Sequence, residues 1–140
     1  MTIPAELSYE TCLTRLREHE VGRVAVCTAE GPRIVPVNYS VLDDDALVIR
    51  TTPYSALGIH ADGNRLALEI DSVDLQNRSG WSVVATGTGS LVGDSAELRR
   101  IHAFRDPGPW AGGQRWLFVA LRWDELTGRA VGSRGATMTG

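Results

Sequence analysis

The 140-residue chain contains no lysine: all 14 of its basic residues are arginines. That absence excludes every mechanism that needs a lysine amine, including a Schiff base to pyridoxal phosphate and the lysine of a Walker-type phosphate loop. Cysteine is nearly as scarce. Cys12 and Cys27 stand alone, without CxxC or CxxH spacing, so neither a disulfide framework nor a structural zinc site is expected. The burial preference of cysteine predicts two buried thiols. No apolar run approaches the roughly 20 residues of a membrane-spanning helix, and residues 1–10 hold no basic segment followed by an apolar one. A cytoplasmic protein with no membrane partner is therefore expected. A formal net charge of -3 and a pI near 5.6 supply no broad positive field, so no nucleic-acid partner is expected either. His19, His60 and His102 are isolated from one another and no Gly-x-Ser-x-Gly elbow occurs, which argues against a hydrolase triad and against a metal site.

What is present suits one compact domain, with 43% hydrophobic residues and 15 glycines. We expect that domain over residues 1–134 and a frayed tail over 135–140. Ser8 is placed to cap a helix in which Leu7, Cys12, Leu13 and Leu16 form an apolar stripe, Arg15, Arg17 and Glu18 face water, and Gly22 is the stop. β-Branched runs over 22–28, 33–41 and 46–52 are separated by Glu30-Gly31-Pro32 and Asp43-Asp44-Asp45, which predicts a three-stranded meander. Pro36, inside the second run, marks an edge, a bulge or a ligand contact.

A helical turn within 54–63 leads to a fourth strand over 65–71 and a long fifth strand over 80–92, bent at its glycines. An amphipathic helix from Asp94 or Ser95 to Phe104, a Pro/Gly/Trp loop over 106–113 and a sixth strand over 116–123 complete the pattern. The fold class is mainly β with flanking helices, and a six-stranded antiparallel barrel fits better than a βαβ arrangement.

The most informative constellation sets Pro36-Val37-Asn38-Tyr39 across a hairpin from Ile49-Arg50-Thr51-Thr52, with Tyr54-Ser55 opening a helical turn. Arg50 offers a planar fork for a phosphate, and Thr51, Thr52 and Ser55 offer hydroxyls. The competing reading pairs Arg50 with Glu69 or Asp71 on a neighbouring strand, and residue types alone leave both open. Trp81-Ser82, Trp110 and Trp116 could wall a flat ring system, with core packing the default for Trp116 and a lid or subunit contact as plausible as core for Trp110.

Taken together, the segments from about Leu7 to Val131 resemble the pyridoxamine 5'-phosphate oxidase-like, FMN-binding split-barrel family, in particular its small actinobacterial flavin- and deazaflavin-binding branch. The resemblance is carried by Gly22-Arg23-Val24-Ala25, Pro36-Val37-Asn38-Tyr39, Val48-Ile49-Arg50-Thr51, Ala67-Leu68-Glu69-Ile70-Asp71, Gly80 to Gly87, and Leu126-Thr127-Gly128-Arg129. It implies a six-stranded split β-barrel, a homodimer, and two flavin sites built at the subunit interface. Within it, Pro36 and Val37-Asn38-Tyr39 would lie along the isoalloxazine edge through backbone contacts. Arg50 and Thr51, with Thr52 and Ser55, would address the phosphate. Trp81-Ser82 would approach the ring or ribityl chain, and Arg129 would be a lesser contact.

One departure stands out. Relatives commonly place a lysine after the serine of the helical turn, whereas here Ser55 is followed by Ala56 and Leu57. Losing one cationic phosphate contact costs about 1.5–3 kcal/mol, or about ten- to a hundredfold in affinity. Arg50, Arg65 or Arg105 could compensate. The implied function is an FMN-dependent oxidoreductase acting on an unknown small-molecule substrate. The alternatives are a reductase using a deazaflavin coenzyme and a non-catalytic flavin-binding or scaffold protein.

Overall fold

The computed structural model describes residues 4–93 and 116–132, together with Ala96 and Arg99. The elements are β1 (Ala5–Glu6), α1 (Tyr9–Glu18), β2 (Val21–Thr28), β3 (Gly31–Asp43), β4 (Ala46–Thr51), α2 (Ala56–His60), β5 (Arg65–Asp74), β6 (Ser79–Leu91) and β7 (Leu117–Val131). The strands follow the order β7-β4-β3-β2-β5-β6, every pairing antiparallel, and β6 returns to pair with β7. Six strands therefore close a barrel, as expected. The two-residue β1, which pairs with Ala130 and Arg129, was not foreseen, since two residues carry no periodic signal. The helix expected to start at Asp94 or Ser95, the loop over 106–113 with Trp110, and the tail over 135–140 lie outside the described residues.

Alternation along each strand fills the barrel. Trp81, Val83 and Ala85 of β6 point inward with Val24 and Val26 of β2, Leu66, Leu68 and Ile70 of β5, and Leu47 and Ile49 of β4. A smaller apolar cluster lies on the other side of β4 and β7, where Val48 and Phe118 meet Val92. Cys12 is buried, and burial pushes its thiol above the ordinary range. Cys27 is exposed, contrary to expectation, because it shares the outward parity of Arg23 and Ala25 on β2.

β7 runs eight residues beyond the sixth strand expected from the sequence. Its first half pairs with β4 and nearly all of it pairs with β6, with a bulge where Gly87 opposes Trp123 and Thr86 opposes Glu125. The extra residue, Asp124, interrupts the apolar alternation and so hides the continuation. It is clamped from outside by Arg65, whose Nη1 and Nη2 lie 2.5 and 2.9 Å from the carboxylate oxygens. A Cβ at Gly87 would collide with the backbone of Arg122, which is why glycine stands at the bend.

α1 plugs one end of the barrel. Ser8 caps it, accepting from Thr11 N–H at 3.1 Å, and Leu16 and Cys12 face the core. The Tyr39 hydroxyl donates to Leu16 O at 2.7 Å, satisfying one of the helix's C-terminal carbonyls. The helix ends at Glu18, not at Gly22. Gly22 lies within β2, where a Cβ would come 2.9 Å from Glu69 O. Arg15, expected in water, is only 8% exposed because its guanidinium covers the Trp81 ring at 4.9 Å.

α1 also approaches β7 closely at Gly128, where an added Cβ would meet Cys12 Sγ at 2.7 Å and Ser82 O at 3.0 Å. Gly128→Ala is expected to destabilise the fold by about 1–3 kcal/mol through overpacking. Combining it with Cys12→Ala should recover part of that loss, because the thiol is the nearest of the three obstructing groups, the others being Ser82 O and Leu7. Urea unfolding of the two single variants and the double variant measures the coupling.

Candidate functional site

The residues singled out in the sequence separate by strand parity. Val37 and Tyr39 point into the core, as does Thr51, whereas Pro36, Asn38 and Arg50 point outward. The side chains of Val37 and Tyr39 therefore cannot meet a ligand, and the expected contact through their backbone is not available either, because that backbone is committed to β2. Tyr39 N–H donates to Glu20 O at 2.9 Å, so the odd-numbered residues of β3 direct their backbone groups to β2 and the even-numbered ones direct theirs to the opposite side. β4 occupies that opposite side only from Asn38 onward. Pro32 and Pro36 therefore lie on a stretch of edge that no described strand covers, each where an N–H would otherwise point outward. Between them the edge offers one donor, Ile34 N–H, and the carbonyls of Pro32, Ile34 and Pro36. The Ile34 side chain is 70% exposed. Of the three roles open to Pro36, the edge is the one observed.

Beyond that edge, Arg50 is the register partner of Asn38 on one side and Phe118 on the other. Its guanidinium stacks 3.9 Å from the centre of the Trp116 ring and 6.0 Å from that of Phe118. The pairing of Arg50 with Glu69 or Asp71 is overturned by topology. β3 and β2 intervene between β4 and β5, which separates their strands by three spacings of about 4.8 Å. Arg23 on β2 takes those carboxylates instead, with Nη2 2.8 Å from Glu69 Oε1 and 2.5 Å from Asp71 Oδ2.

The three hydroxyl residues form a cap. Ser55 Oγ accepts Gly58 N–H at 2.9 Å, donates to Thr52 O at 2.9 Å and meets Thr51 Oγ1 at 2.8 Å. With its one proton on Thr52 O, Ser55 is left to accept from Thr51, and its hydrogen-bonding capacity is full. Gly58 is packed so closely on Thr52 O that no Cβ fits there. This network fixes the turn that carries the chain from β4 into α2. Of the cations that could replace the missing lysine, Arg65 is committed to Asp124 and Arg105 lies outside the described residues.

The remaining candidates gather elsewhere on the outer surface. Asp71, Ser82 and Arg129 are successive register partners on β5, β6 and β7. They line a groove of about 620 Å³ with Glu69, Trp81 and Val131, at the end of the barrel where β5 and β6 join. The Trp81 side chain is mostly buried, its ring meeting His19 edge-on at 5.1 Å, so it backs the groove more than it walls it. On one chain Arg50 and Arg129 belong to separate patches: Phe118, the β7 partner of Arg50, and Arg129 stand eleven positions apart on β7, with its bulge between them. Sequence reasoning left Arg23 out of the site. Its only signal was a match in parity to Glu69 and Asp71, which needed the β2–β5 pairing to be known.

Against this geometry, the sequence profile of the pyridoxamine 5'-phosphate oxidase family matches residues 8–130. The chain belongs to that family. An uncharacterized protein of Mycobacterium tuberculosis is 29% identical over 127 residues, covering 88% of this chain and 82% of the relative. Among solved structures, a candidate pyridoxamine 5'-phosphate oxidase from Corynebacterium glutamicum is 28% identical with a TM-score of 0.74, covering 91% of this chain and 92% of that one. An FAD-binding protein from Mycobacterium smegmatis is 25% identical with a TM-score of 0.74, covering 90% and 97%. Family membership and fold agree with the split barrel expected from the sequence.

The capping role of Ser55 carries its own test. Ser55→Ala should lower folding stability by about 1 kcal/mol. Ser55→Thr, which keeps both the N-terminal acceptor and the O–H donor, should retain most of it; equal losses in both variants by denaturant unfolding would contradict the cap.

Proposed function

We propose that this chain binds a flavin nucleotide as a homodimer and serves as a small oxidoreductase. The observation that carries the reading is the open β3 edge beside Arg50. Its single N–H and flanking carbonyls suit the pyrimidine edge of an isoalloxazine, which itself alternates carbonyls with one N–H. Arg50 is the fixed cation at the β4 end of that edge, and the donor set fits a flavin phosphate at one arginine rather than at a lysine. The FAD-binding relative from Mycobacterium smegmatis supports a flavin in general. FMN is the cofactor we favour, with FAD and a deazaflavin coenzyme as the competing ligands.

The separation of the Arg50 group from the Ser82–Arg129 groove supports the dimer. A two-fold partner would set the groove of one copy against the edge of the other, so that both patches meet a single flavin. Bound there, a flavin supplies two-electron redox chemistry. The residues of the chain orient and charge it: the β3 backbone reads the ring edge, Arg50 holds the phosphate, and Ser82 and Arg129 close the other side. The substrate is a small molecule that reaches the groove.

Titration of the purified protein with FMN, FAD and the deazaflavin coenzyme tests the reading. Tight binding of FMN is expected, and Arg50→Ala should weaken it about ten- to a hundredfold. Unchanged affinity in that variant would remove Arg50 from the phosphate. Sedimentation should show a dimer; a monomer that still binds flavin would refute the shared site. If none of the three ligands binds, the scaffold reading takes its place.

A further inference from the structure

The outer face between the two groups of candidate residues is occupied by one charged assembly. Arg23 is the register partner of Pro36 on β3 and of Glu69 on β5, and Asp71 is the partner of Ser82 on β6. The assembly thus touches the β3 side of the face at one end and the groove at the other. Glu69 and Asp71 project from the same face of β5, and both carboxylates converge on the single Nη2 atom of Arg23. One positive charge does not neutralise two negative ones, so the pair holds a proton more tightly than a lone carboxylate would.

Burial, followed by its hydrogen bond with Asp71, pushes the Glu69 carboxyl above the usual glutamate range. The hydrogen bond from Glu69, with Arg23 behind it, holds Asp71 below the usual aspartate range. Glu69 is therefore the member of the pair that protonates first. Both side chains are about a third exposed, 33% and 34%, so the groove connects them to water.

Resting on the flavin reading above, the geometry points to the Glu69–Asp71 pair, held by Arg23, as the proton-exchanging group of the cofactor site. It takes up a proton from water when the site gains two electrons and returns that proton on reoxidation. In balance, two electrons and one proton enter the cofactor, and a second proton forms an O–H bond on the Glu69 carboxylate, cancelling the added negative charge. Reoxidation by a two-electron acceptor removes the two electrons together with the first proton, as hydride, and breaks the Glu69 O–H bond, releasing the second proton to water. The other charged groups that face the pair stand on neighbouring elements. From β6 the facing partner is Val84, which is uncharged. Arg129 stands on β7 beyond Ser82, Arg78 and Asp74 line the far end of the groove, and Arg15 and His19 pack on the ring of Trp81 from the core side.

The test is a dithionite redox titration of the full chain loaded with FMN, or with FAD if that binds better, repeated from the acid carboxylate range upward. In the wild type, proton uptake per two electrons should rise by up to one across an interval above the ordinary glutamate range. An infrared carboxyl band should appear on reduction. Glu69→Gln should lose both the extra proton and the band, and Asp71→Asn should move the interval to lower pH. Identical proton uptake in the wild type and Glu69→Gln, with flavin bound in both, overturns this inference alone. Failure to bind either flavin overturns the flavin reading and this inference with it.

Discussion

β7 hydrogen-bonds to β4 on one side and to β6 on the other, and this double pairing turns a meander with two free edges into a closed barrel. Closure fixes which face of every other strand is inside. It also obliges β7 to bend, since a straight strand of 15 residues cannot follow both partners, and the bulge at Asp124 with Gly87 opposite supplies the bend. Arg65 then neutralises the residue that the bulge pushes outward. Among the described residues, the first half of β3 is a stretch that closure leaves unpaired on one side. β4 is shorter than β3 and ends at Thr51, so the edge from Pro32 to Pro36 follows directly from a mismatch in strand length.

That inside-outside division decides what each candidate residue can contribute. Tyr39 is an anchor for α1, and Thr51 and Ser55 are parts of a turn, because their hydroxyls are already matched to protein partners. The outward set is smaller and more polar: Pro36 and Asn38 on β3, Arg23 on β2, Arg50 on β4, and Ser82 and Arg129 at the other end. A phosphate near Arg50 would meet one permanent cation and hydroxyls that must break existing bonds to greet it. The guanidinium is also stacked on Trp116, which fixes its plane and lowers the cost of presenting its fork.

The barrel strands were legible because β-branched runs alternate and are punctuated by Gly, Pro and Asp, and the site segments were legible as short motifs in a particular order. Three things were not. The second half of β7 was hidden by Asp124, the unpaired residue of the bulge, and the charged Glu125 after it, which break the apolar alternation. Arg15 looked solvent-facing on a helical wheel, but the aromatic ring that accepts it comes from β6, far away in sequence. The partner of Glu69 and Asp71 could not be chosen between Arg23 and Arg50 without strand order, since both arginines lie on neighbouring β runs with outward parity. In each case the missing quantity was a long-range pairing, which local pattern does not encode.

The absence of lysine has a consequence beyond the phosphate. Every described cation on the outer face is an arginine, and a guanidinium keeps its charge at any pH the protein meets. The positive side of the electrostatic field at the site is therefore constant, and a change in its charge is answered by acidic groups. Among these, Asp124 and Asp74 are tied to Arg65 and Asn77 at the surface and are held below the usual range by those bonds, so they remain ionised. Glu69 differs because burial and a second carboxylate both act against its ionisation while Arg23 alone acts for it. A charge gained nearby shifts that balance toward the protonated form, and the shift needs no movement of the backbone, since β2 and β5 already hold all three groups in contact.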